Sequence, residues 1–144
     1  MSEKKLESIM RESVEALNKR DFEKALSFFA EDAVWVAPEG TFKGKAEIKR
    51  YLTWGRKEHP DQRLRDVGIT VKGNKGVYEH IMEGTIDNMK YETMVMCIWE
   101  FSGEKIQQLK SLYDRLSIAK QVAKGIISKR AVTSMLNQFE KGLH

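Results

Sequence analysis

Apolar residues recur every three or four positions between Ser2 and Lys19. Leu6, Ile9, Met10, Val14 and Leu17 share one side with Ser13, a spacing that predicts an amphipathic first helix. Asp21 is placed to cap a second, shorter helix whose buried positions would be Phe22, Ala25, Leu26 and Phe29. After Glu31 and Asp32 the run AVWVAP reads as a short strand stopped by Pro38. Glu39-Gly40 then turns the chain and Thr41-Phe42 forms a brief strand. Gly44 releases the chain into a third helix, about Lys45 to Glu58, with Ile48, Tyr51, Leu52 and Gly55 on one side and Pro60 beyond its end.

From Gln62 the period changes to two. Four antiparallel strands are expected at 62–72, 77–87, 90–101 and 105–116, joined by the turns GNKG, Asn88-Met89 and Ser102-Gly103-Glu104. The third of these, YETMVMCIWEF, is apolar on both faces, so something packs on each side of it. A short helix over SIAKQVAKG follows, closed by Gly125. A last amphipathic helix then runs from Ile126 to about Gly142. One half of it carries Ile127, Ala131, Val132, Met135, Leu136, Phe139 and Leu143, and the other carries Lys129, Arg130, Asn137 and Lys141. That face is expected to pack across the barrel or a dimer partner near the mouth of a cavity; a membrane-surface helix is the rival reading. Helices followed by a long curling antiparallel sheet make an α+β fold, a cone with a ligand cavity at its open end.

The turns set a register. If Asn88-Met89 is the hairpin loop, Tyr78 lies opposite Trp99, His80 opposite Cys97 and Met82 opposite Val95. A three-residue loop at Ser102 to Glu104 then sets Cys97 against Leu109, Val95 against Ser111 and Thr93 against Tyr113, whereas a four-residue SGEK loop would flip the last strand. The cavity face is therefore expected to hold Tyr78, His80, Met82, Thr93, Val95, Cys97, Trp99, Leu109, Ser111 and Tyr113. Its composition suits a small hydrophobic or aromatic molecule. The opposite face would hold Ile81, Met94, Met96, Ile98 and Leu112, too contiguous an apolar patch for a monomer, and a homodimer is expected through it.

Composition narrows the classes. A chain of 144 residues, 41% hydrophobic and 32% charged, reads as a single domain spanning 1–144, with a core about 6–125 and the last helix about 126–142. The formal net charge is +4, and the excess lies beyond Ser117, in Lys120, Lys124, Lys129, Arg130 and Lys141 against Glu140. That is a solvated helix face, so neither nucleic acid nor membrane is expected as a partner. No apolar run approaches membrane-spanning length and MSEKKLES lacks a signal core, which points to the cytoplasm. The lone Cys97 excludes an internal disulfide and a cysteine metal cluster. His59, His80 and His144 show no ligand spacing, so no metal is expected, and with no glycine-rich phosphate loop no cofactor is expected either.

Candidate chemistry is sparse. His80, mid-strand on the apolar face, is the acid–base candidate, with Tyr113 or Tyr78 as hydroxyl donor. Asp114 joins the catalytic candidates, although it precedes a helix and a capping role accounts for it.

The helix pair before EDAVWVAP, the GTFKGKAEIKRYL entry into the third helix, the meander and the closing YDRLSIAKQ together resemble the nuclear-transport-factor-2-like superfamily, and within it the SnoaL-like polyketide cyclases. The resemblance spans roughly Leu6 to Gly125. It implies a cone-shaped α+β barrel, a deep pocket between helices and sheet, and a dimer through the outer sheet face. Trp35, Tyr51 and Trp54 complete the ligand-binding set with Tyr78, Met82, Val95, Cys97, Trp99, Leu109 and Ser111. In the cyclases an aspartate acid/base stands three residues before the position of Asp114, where this chain has Ser111. A histidine two residues earlier is replaced by Leu109, and polar groups on the preceding strand by Val95 and Cys97. Ketosteroid isomerases place their base where Ala37 stands. The resemblance thus implies a cofactor-free isomerase, cyclase or hydrolase whose chemistry has moved to His80 or Tyr113, or else a non-catalytic binding or scaffolding domain.

Overall fold

A computed structural model describes residues 2–143, so His144 lies outside the described residues. α1 (Glu3–Asn18) begins where the Ser2 hydroxyl accepts the Lys5 amide at 3.1 Å, and it buries Leu6, Ile9, Met10, Ser13, Val14, Ala16 and Leu17. α2 (Phe22–Ser27) is capped by Asp21 as its sequence predicts, but Phe29 belongs to the strand that follows. That strand, β1 (Phe29–Ala37), starts earlier than AVWVAP because Phe29, Ala30, Glu31 and Asp32 extend it at its beginning. β2 (Gly40–Lys43) returns against it and α3 (Gly44–Glu58) closes the helical layer.

The sheet continues with β3 (Arg63–Lys72), β4 (Lys75–Ile86), β5 (Met89–Ser102) and β6 (Lys105–Tyr113), in spatial order β2-β1-β6-β5-β4-β3. The four-strand meander is therefore part of a six-stranded sheet, because β1 adds itself parallel to β6, with Trp35 beside Leu109. Irregularities at Phe29/Val34, Asp66/Gly68 and Glu100/Phe101 accompany a curved sheet that does not close. Curvature turns one face into a trough, and α1, α3 and the next helix cover it.

Two register expectations require correction. The hairpin loop is Asp87-Asn88, both at positive φ (51° and 65°), so Ile86 pairs with Met89. Tyr78 therefore faces Cys97, His80 faces Val95 and Met82 faces Thr93. In the next hairpin Ser102 pairs with Lys105, and a bulge at Glu100/Phe101 brings Cys97 opposite Ser111 and Val95 opposite Tyr113. Each shift is two residues, so every side chain keeps its expected face. The inward positions from Tyr91 to Phe101 are buried without exception, while Met94 and Leu112 on the outer face are 58% and 60% exposed.

The last strand stops at Tyr113 because Asp114 caps α4 (Arg115–Val122), accepting the Ser117 amide at 3.0 Å. β5 outruns β6, which leaves its first residues without a strand neighbour on that side. α4 fills the gap. The Gln121 side-chain amide accepts the Glu92 N–H and donates to the Glu92 carbonyl, both at 2.9 Å, as a strand neighbour would. At the other edge Asn18 does the same for the Leu64 backbone, at 2.8 and 2.9 Å.

α5 (Gly125–Phe139) departs from expectation. Gly125, at φ +76°, turns the chain out of α4, and no residue of the helix is buried. Ile127 is 87% exposed and Phe139 77%. The helix does not line the cavity of this chain; α4 supplies that wall instead. No helix among the described residues is long and apolar enough to cross a membrane. Since α5 has no buried residue and only Val132 and Leu136 half-buried, removing residues 126–144 is expected to change the melting temperature by less than about 2 °C. Binding of a hydrophobic dye should fall as the exposed face is removed. Calorimetry and dye fluorescence of the truncated chain check both.

Candidate functional site

The trough and its helical cover enclose a cavity of about 400 Å³. Three walls have different chemistry. β1 and α3 supply an aromatic wall, in which Phe29 stacks on Trp35 (centroids 5.9 Å apart), Trp35 meets Tyr51 edge-on (5.3 Å), and Tyr51 stacks on Phe42 (4.2 Å) and Trp54 (5.9 Å). Trp54, 42% exposed, carries that wall out to the surface. β4, β5 and β6 supply the floor, with His80, Met82, Val95, Cys97, Trp99, Leu109 and Ser111. α4 adds Ile118, Ala119 and Val122, and α1 adds Val14 and Leu17.

One corner of the rim depends on Arg20. Its backbone is left-handed (φ 60°), and its guanidinium donates to the carbonyls of His59, Pro60 and Gln62 at 3.2, 3.2 and 2.6 Å. These bonds seat the loop between α3 and β3. Gln62 in turn donates to the Tyr91 hydroxyl at 3.1 Å.

Two polar arrangements interrupt the apolar lining. On the β1–β6 side the Trp35 indole N–H donates to the Ser111 hydroxyl at 3.0 Å, and Cys97 Sγ lies 3.4 Å from the same oxygen. Burial pushes the Cys97 thiol up to about 11, which makes it an inert lining group. Nearer the rim, Glu39 from the β1–β2 turn accepts the Tyr51 hydroxyl at 3.0 Å on one carboxylate oxygen and the Tyr113 hydroxyl on the other. Burial is the main cause that raises both phenols well above the ordinary tyrosine value. Glu39 reinforces it, so both remain protonated donors.

His80 is wholly buried, and among the described residues neither ring nitrogen has a hydrogen-bond partner. The Trp99 indole nitrogen is also buried and unpartnered. Desolvation lowers the His80 pKa from 6.5 to about 4, against the opposing pull of Asp66, so the imidazole is neutral at pH 7. The Tyr78 ring lies against it at 3.8 Å. Tyr78 itself is buried behind His80 and does not line the cavity; burial and the nearby Asp66 raise its hydroxyl to about 12.

The other expected residues divide clearly. Trp35, Tyr51, Trp54, His80, Met82, Val95, Cys97, Trp99, Leu109, Ser111 and Tyr113 all line the cavity. Asp114 does not: its carboxylate caps α4, and the residue borders a shallow groove on the outer face of the sheet. Glu39 escaped the sequence reading, since nothing in a Pro-Glu-Gly turn announces that two tyrosines from a helix and a distant strand will meet it. Among the described residues no three His, Cys, Asp or Glu side chains are grouped so as to hold a metal ion.

The His80 pKa carries a pH prediction. Between about pH 6.5 and 4 the unfolded chain binds the imidazole proton and the folded chain does not. Folding stability is therefore expected to fall as the pH drops through that window, by up to about 3 kcal/mol. Urea midpoints at pH 7.5 and 4.5 check this; the drop should shrink in His80→Gln by the histidine's share.

Comparison with known proteins follows the geometry. The SnoaL-like domain model matches residues 10–109. TerC, solved as a co-crystal with polyporic acid, is 21% identical and superposes with a TM-score of 0.76, covering 83% of this chain and 99% of its own. An NTF2-like protein of unknown function from Burkholderia pseudomallei is 20% identical (TM-score 0.77, 86% and 100% covered). A protein of ketosteroid isomerase-like fold from Catenulispora acidiphila, in complex with trimethylamine, is 16% identical (TM-score 0.75, 81% and 93% covered). At those identities the likeness establishes the fold. No protein of curated description matches the chain significantly.

Proposed function

The chain belongs to the SnoaL-like domain family, and on that footing we propose that it binds a small, largely apolar ring compound in the cavity between α3, α4 and the sheet. The observation that carries this reading is the aromatic wall of Trp35, Tyr51 and Trp54 facing an apolar floor across about 400 Å³. That volume and lining suit a ligand of two or three rings, held by stacking and desolvation. Solved proteins of the same fold that hold small molecules, polyporic acid in one and trimethylamine in another, support it further.

A second reading, cofactor-free proton transfer, is favoured by the Glu39 cluster. Glu39 holds one phenol on each of its carboxylate oxygens. A ligand carbonyl that takes the hydrogen bond of Tyr113 or Tyr51 would release one carboxylate oxygen. Glu39 could then take a proton from the carbon beside that carbonyl while the phenol stabilises the oxyanion. His80, weakly basic because burial disfavours its charged form, is less suited to that task.

A thermal-shift screen of fused and linked aromatic compounds tests the binding reading. A ligand at a hundred times its Kd should stabilise the fold by about 2.7 kcal/mol, and Trp35→Ala should abolish the shift. Where a ligand is turned over, Glu39→Gln is expected to lower kcat by at least about a hundredfold with little change in binding, read by single-turnover kinetics.

The outer sheet face fits a homodimer. Met94 and Leu112 stand exposed beside Met96, Ile98 and Ile81. Met96→Glu is expected to convert a dimer to a monomer in sedimentation, with the cavity unaffected.

A further inference from the structure

His80 is a polar side chain in the cavity lining that has no hydrogen-bond partner among the described residues. It is 0% exposed, both ring nitrogens are unpaired, and it lies among Met82, Val95 and the ring of Tyr78. Burying an imidazole with no partner costs free energy in the empty protein, and a group that enters the cavity with a hydrogen bond to offer recovers it. The sheet register gives this group a direction. His80, Val95 and Tyr113 stand side by side in one row of β4, β5 and β6, so His80 and Tyr113 are two strand spacings apart, about 10 Å. Tyr113 carries the Glu39 carboxylate and, through it, Tyr51. The row thus has a neutral polar group at one end, a carboxylate with two phenols at the other, and Val95 between them.

We propose that His80 is the recognition subsite for a neutral hydroxyl at the end of the ligand opposite Glu39, so that the preferred ligand is a flat fused aromatic with oxygens at its two far ends. This inference rests on the ligand-binding reading given above. A hydroxyl suits the site because it donates to the free nitrogen of a neutral imidazole or accepts from its N–H. A methyl group leaves both unpaired. A carboxylate is disfavoured there because burial penalises its charge and the one charge that acts on His80, that of Asp66, is of the same sign. At the other end, a ligand hydroxyl donates to Glu39 in competition with the phenols.

Two naphthalenes isolate the subsite. 2,6-Dihydroxynaphthalene has an oxygen for each end, and 6-methyl-2-naphthol keeps one and replaces the other by a methyl group. Calorimetric titration of the wild type is expected to give at least about tenfold tighter binding of the diol. In His80→Leu the ratio should fall close to one while 6-methyl-2-naphthol binds as before. His80→Gln, which keeps a donor and an acceptor, should restore part of the preference. Equal binding of the two compounds by wild type, or a preference that survives His80→Leu, would overturn the subsite and leave the ligand-binding reading standing. Should neither compound bind at millimolar concentration, both fall. If His80→Leu does not fold, the wild-type ratio and His80→Gln decide the matter alone.

Discussion

The fold depends on β5. It is hydrogen-bonded to β4 along nearly its full length and to β6 along its second half, and its inward side chains from Tyr91 to Phe101 are all buried. Because strand side chains alternate with a period of two, that single burial pattern determines which side of each neighbour faces the trough. Everything else covers the trough. α1 covers one end with Leu6, Met10 and Val14, α3 brings the aromatic wall, and α4 completes the side that β6 is too short to reach.

The same strand shows why so much of the architecture was legible in the residues. The register expected for both hairpins was off by two, yet two is a whole period, and each cavity-facing side chain stayed on its face. A slip of one would have exchanged the faces. Helix spans followed from apolar spacing and from caps at Asp21 and Asp114, whose side chains accept the first-turn amides, as Ser2 also does in the structure. The parallel pairing of β1 with β6 was not legible: it joins residues more than seventy positions apart, and no turn between them announces it. For α5 the expectation named two covers, this chain or a dimer partner, and the first is not what the structure has. A wide apolar face says that something could cover a helix, but not that the same chain supplies the cover.

The site was legible in part. The floor residues follow from strand parity, and Trp35, Tyr51 and Trp54, expected in the ligand-binding set, line the cavity from β1 and α3. Glu39 lay beyond reach because its significance arises only when a turn, a helix and the end of β6 converge on one carboxylate. For Asp114 the capping explanation prevailed, as first-turn geometry usually dictates for an aspartate just before a helix. Tyr78 keeps the right face but lies behind His80, since parity fixes a side and not a depth.

The Gln121–Glu92 pair has a consequence for how the cavity opens. Through that pair one side-chain amide stands in for a missing strand at the beginning of β5. On α4, Ile118, Ala119 and Val122 form the adjoining wall of the cavity. Any excursion of α4 away from the barrel thus uncovers two surfaces together, the apolar interior and a length of bare strand edge with its amides unpaired. Access on that side is coupled to a sticky intermediate, and a protein built this way gains by keeping such excursions short.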